Sequence, residues 1–108
     1  MHLLTTSSSY EQALDGYLHA LVRSRPWIKK REEAALLALG EWLYQHGLSA
    51  LSDVTLATVE RYARAQALSD AAWAELITAL HHLFTWAIYD GVTQTNPFAA
   101  HPLVAHQP

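Results

Sequence analysis

The chain has no cysteine, four glycines, one methionine and only seven Lys and Arg residues among its 108 positions. Without cysteine there is no disulfide framework, no thiolate metal ligand and no thiol nucleophile; this fits a reducing compartment, and a cytoplasmic location is the expectation. The opening MHLLTTSSS has no basic segment ahead of an apolar core, so it is not patterned as a secretory signal, and no later run reaches membrane-spanning length. No membrane association is expected. Strand-like alternation is also missing, which leaves all-α as the expected class.

What is present argues for a folded body. The chain is 51% hydrophobic and 16% charged, well above the hydrophobicity of disordered chains, and its length suits one domain with one core. The formal net charge of −3 argues against bulk attraction to nucleic acid. Its distribution is uneven, however. Arg23, Arg25, Lys29, Lys30 and Arg31 occupy nine consecutive positions, and Glu32 and Glu33 follow at once.

Four helices are expected. Ser8 or Ser9 with Glu11 or Gln12 three residues on reads as a capping box, and Tyr10, Leu14, Tyr17, Leu18 and Leu21 then recur at helical spacing, giving a first helix over about Ser9 to Val22. Pro26 suits the first turn of a second helix starting near Arg25 or Pro26, with Ser24 placed to help cap it and Gly47 to end it. Its inward face carries Ile28, Ala35, Leu36, Leu39, Trp42 and Leu43. A short third helix with Leu56, Val59, Tyr62 and Ala63 on one face ends near Ala67, and Ser69 or Asp70 caps a fourth that closes at Gly91. The fourth helix buries Trp73, Leu76, Ile77, Leu80, Phe84, Ala87 and Ile88, while Leu37, Tyr44, Trp86 and Tyr89 are expected to face outward. Residues 1–8 read as a flexible tail, and residues 92–108, with three prolines and no periodicity, read as an irregular linker.

The ordered set ALGEWLYQHG (38–47), LSDVTLATVERYA (51–63), LSDAAWAELITALHHLFTWAIYDG (68–91) and VTQTNPF (92–98) resembles the N-terminal core-binding domain of tyrosine recombinases, the SAM-like domain of phage integrases. The resemblance covers about residues 10 to 98. It implies a compact orthogonal four-helix bundle over residues 9–91 that forms half of a clamp around duplex DNA. It further implies a linker over 92–108 toward a separate catalytic domain, and contacts with neighbouring copies on DNA. The Arg, Lys, His and Tyr machinery of strand transfer would belong to that other domain. The five tyrosines here fall in helical segments and no HxxR pattern occurs, so this chain alone is expected to be non-catalytic and to need no cofactor.

The basic turn has its own chemistry. A helix N-terminus offers unpaired amides and partial positive charge to phosphate, and here Ser24, Arg23, Arg25, Lys29, Lys30 and Arg31 gather at one. Glu33 is spaced to pair with Lys29 or Lys30, and Glu32 and Glu33 read as neighbours on a polar surface. Trp27 is expected at the core or its rim. The resemblance places the last helix against the DNA, yet its outer face offers Asp70 and Glu75, with Thr78, His81 and His82 as the polar candidates besides the acids. The adjacent His81 and His82 point roughly 100° apart and no ligand-spaced His or Asp cluster is found, so no metal is expected. The alternative reading is an all-α protein-interaction module whose acidic balance keeps it off DNA and whose outward aromatics form its contact.

Overall fold

The computed structural model describes residues 9–105. Among these the protein is all-helical, with α1 (Tyr10–Ser24), α2 (Pro26–Gln45), α3 (Leu56–Ala65), α4 (Asp70–Tyr89) and a last turn α5 (Pro102–Ala105), plus a 3-10 turn over Leu51–Asp53. Residues 1–8, including Ser8, and residues 106–108 lie outside the described part.

Caps written into the sequence set the helix starts. Ser9 Oγ accepts from the Gln12 amide at 3.0 Å and Gln12 Oε1 accepts from the Ser9 amide at 3.2 Å, a reciprocal capping box. Thr55 and Ser69 accept in the same way from Thr58 and Ala72 and start α3 and α4. At the other ends, Gly47 and Gly91 adopt φ of +70° and +78°. Leu48 and Val92 can then donate back to Leu43 and Ala87, both at 2.8 Å.

Packing then assembles α1, α2 and α4 around one core. Leu14, Tyr17 and Leu21 from α1 meet Leu36, Leu39 and Leu43 from α2 and Ile77, Leu80 and Phe84 from α4. The Tyr10 hydroxyl donates to the Leu36 carbonyl at 2.7 Å, joining α1 to α2 inside that core. Two expectations for α4 are reversed. Trp86 packs inward over Gly16, where a Cβ would sit 2.6 Å from its ring, and Ile88 is 41% exposed. The reason is that α4 is covered by α1 on one flank, so its buried arc extends to Trp86 and leaves Ile88 outside.

The segment after Gly91 departs from the expected irregular linker: it is irregular only up to the short helix α5 (Pro102–Ala105), and it is packed rather than free. Phe98 is fully buried, with its ring 5.5 Å from that of Phe84. Asn96 holds the approach: its Nδ2 donates to the His81 carbonyl and to Thr85 Oγ1, both at 3.2 Å, while its Oδ1 accepts from the Phe98 amide at 3.0 Å. The packed body therefore runs past Gly91 to at least Phe98, because the Asn-Pro pair bends the chain back onto α4.

Phe98→Ala is expected to destabilise the fold by about 3–5 kcal/mol, the usual cost of emptying a buried phenylalanine site. Chemical denaturation reads this directly; a change below about 1 kcal/mol would mean that the segment is detached in solution.

Candidate nucleic-acid interface

The basic turn lies where α1 passes into α2 with only Arg25 between them. Arg25 is non-helical (φ −144°, ψ 66°), in keeping with the exclusion of helical geometry ahead of a proline. Its amide donates to the Leu21 carbonyl at 2.7 Å, closing α1, and its carbonyl accepts from Ile28 and Lys29 at 3.0 and 3.3 Å. Pro26 has no amide hydrogen. Among the described residues the Trp27 amide is thus the one first-turn donor of α2 left without a partner, too little for the expected amide cradle. Ser24 is no cap for α2 either: its hydroxyl donates back to the Ala20 carbonyl at 2.9 Å.

The side chains divide. Lys29 pairs with Glu33 at 2.9 Å on the same helix. Arg23, Arg25, Lys30 and Arg31 are exposed and, among the described residues, have no carboxylate within ion-pair distance. Successive helical residues turn by roughly 100°, so Lys29, Lys30 and Arg31 fan around α2 rather than sharing one side. Trp27 stands among them 61% exposed, not at the core, because Ile28 takes the inward position beside it. Elsewhere Arg61 lies over the Trp42 ring at 5.7 Å, a structural use of a cation that the turn does not share.

Thr78, His81 and His82 follow the outer side of α4, and the structure brings only His82 toward the turn. Ser24, Arg25 and His82 line one groove of about 310 Å³ with Tyr17, Thr85 and Tyr89. Thr78 is half-buried outside it. His81 instead has its Nδ1 at 3.1 Å from Asn96 Nδ2. Burial, and then its neighbour His82, hold the His81 imidazole below its ordinary pKa, so it carries little positive charge at neutral pH.

Two of the groove's lining residues, Tyr17 and His82, share a buried partner that sequence reasoning places on the surface. Glu32 is only 5% exposed. Its Oε1 accepts from the Tyr17 hydroxyl at 2.6 Å and its Oε2 lies 2.7 Å from His82 Nδ1, so one carboxylate joins α1, α2 and α4. A signal is present: Glu32 falls between Ile28 and Leu36 at four-residue steps, on the apolar stripe itself. Burial first, then the hydrogen bond to Glu32 and its negative charge, raise the Tyr17 phenol well above its usual value, with Arg25 opposing. Tyr10 and Tyr62 are raised by burial as well. Among the described residues no group of three or more His, Asp or Glu side chains converges as a metal site, and no helix is long and apolar enough to cross a membrane.

Glu32→Ala strands the Tyr17 hydroxyl and the His82 ring and is expected to cost about 3 kcal/mol. The raised phenols also set an alkaline limit. The folded state keeps the Tyr10 and Tyr17 protons while the unfolded chain releases them above about pH 10, so stability falls as pH rises, by about 1.4 kcal/mol per pH unit for each of these two tyrosines. Tyr17→Phe should remove one proton from that slope in denaturation series between about pH 9 and 11.5; an unaltered slope would show that Tyr17 ionises as freely folded as unfolded.

Comparison with protein families, with curated proteins and with solved structures finds no match to this chain.

Proposed function

We propose that the chain is a duplex-DNA-binding module, the core-binding half of a tyrosine-recombinase clamp with the SAM-like orthogonal bundle of that family and no catalytic activity of its own. On this reading it acts in the cytoplasm beside a catalytic domain of the same recombinase and meets further copies on DNA. The support is the order of parts described above, from the helix ending at Gly47 to the Asn-Pro closure after Gly91.

One observation carries the proposal. Arg23, Arg25, Lys30 and Arg31 stay exposed with no carboxylate partner among the described residues, in a chain whose net charge is −3. Such a local concentration of cations, spread around the start of α2, binds the DNA backbone by releasing its counterions, without reading sequence. His82, engaged with the buried Glu32, and Thr78 and His81 outside the groove contribute at most peripheral contacts. Base readout from α4 forms no part of the proposal.

Contacts to about four phosphates give a slope of roughly −3.6 for log affinity against log salt. Fluorescence anisotropy with a labelled duplex should show this slope, and Arg23→Ala, Arg25→Ala and Arg31→Ala combined should lower its magnitude by about 2 to 3. Equal slopes in the two proteins would remove the turn from the interface, and absence of binding at low salt would end the proposal.

A further inference from the structure

The outward side of α2 carries a second pattern, which shares Lys30 with the cationic turn but does not rest on the DNA reading. Trp27, Lys30, Ala34, Leu37, Glu41 and Tyr44 are spaced alternately by three and four positions, the spacing of a helix seam that packs against another helix. All six are exposed, with Trp27 at 61%, Leu37 at 51% and Tyr44 at 77%. No other element among the described residues covers them.

The order of chemistry along this seam is its own mirror in sign. An aromatic stands at each end, a cation next to the first and an anion next to the second, with small and apolar residues in the middle. Midway between Ala35 and Leu36 lies a centre about which Trp27 matches Tyr44, Lys30 matches Glu41 and Ala34 matches Leu37. Turning a second copy around that centre sets aromatic against aromatic and cation against anion, twice each. A parallel copy would instead oppose Lys30 to Lys30 and Glu41 to Glu41.

We infer that the outer face of α2 is a self-complementary surface on which a second copy of this chain docks, its α2 antiparallel, to form a two-fold symmetric dimer. Two-fold closure lets one patch serve both partners and leaves no free end for a filament. The Ala34 positions admit close approach of the two helices beside the Leu37 side chains. A hollow of about 510 Å³ bordered by Leu37, Glu41, Tyr44, Gly40 and Tyr10 adjoins the far end of the seam and offers room for the indole of the second copy's Trp27. One helix pair over these residues, about 26 Å long at 1.5 Å per residue, is a small interface, so the dimer is weak and reversible.

Charge exchange tests the arrangement on surface residues that the core does not use. Sedimentation equilibrium of the whole chain over a range of concentrations should show a monomer–dimer equilibrium. Lys30→Glu and Glu41→Lys, made separately, should each weaken it at least tenfold, with unchanged circular dichroism. The double variant K30E/E41K should recover it. An equimolar mixture of the two single variants should form heterodimers, since the antiparallel pairing then sets an acid of one chain against a base of the other at both ends of the seam. A wild-type chain that stays monomeric at the highest concentrations overturns the inference. So do single variants that associate as wild type does, or a mixture that does not re-associate.

Discussion

A carboxylate withdrawn from water costs several kcal/mol unless donors replace the lost hydration. Glu32 obtains its donors from two other helices, Tyr17 on α1 and His82 on α4, and the positions of the three helices depend on that pairing. Leucine against leucine tolerates sliding and repacking; hydrogen bonds of 2.6 and 2.7 Å do not. We read the network as a register device more than as a source of net stability, since a well-packed apolar replacement can match a buried ion pair in energy. Its surface consequence follows from helix geometry. With Glu32 fixed inward, Lys30 must face out, and Arg31 and Glu33 must flank it on opposite sides.

How much of this is legible in the sequence depends on how local each cause is. Ser9 with Gln12, Ser69, Gly47 and Gly91 act within one helical turn, and the sequence alone places the ends of α1, α2 and α4 to within a few residues, though neither the Thr55 cap of α3 nor the short α5 is read from it. The inward stripe of α2 is readable for the same reason. Glu32 is not, because its charge argues for the surface against its place in that stripe, and its partners lie 15 and 50 residues away. Trp86 and Ile88 exchange places because a stripe on α4 does not reveal which flank α1 will cover. Phe98 escapes because no period marks a single aromatic that docks after a proline. The first-turn amides of α2 look free from spacing alone, yet Arg25 and Pro26 between them leave only Trp27, a detail of backbone bonding that spacing does not show.

The uneven charge has one further consequence for how the two proposed surfaces relate. Outside residues 23–31 the chain holds ten acids against Arg61 and Arg64, a net charge of −8, and the turn holds +5. Approach to a polyanion is therefore most favourable at the end of the molecule that carries the α1–α2 turn, so the charge biases the encounter as well as attracting it. A second copy meets the same asymmetry in a different way. Each copy is net negative, so long-range repulsion opposes association, and it proceeds only where the antiparallel seam brings Lys30 against Glu41 at short range. Lys30 belongs to both surfaces. Duplex DNA and the second copy then compete for the start of α2, and by mass action whichever binds more tightly at the prevailing salt and concentration displaces the other. Added salt weakens the DNA contact steeply through its many phosphates, but the dimer only through its two opposed pairs. Rising ionic strength therefore shifts the chain from the nucleic acid toward itself.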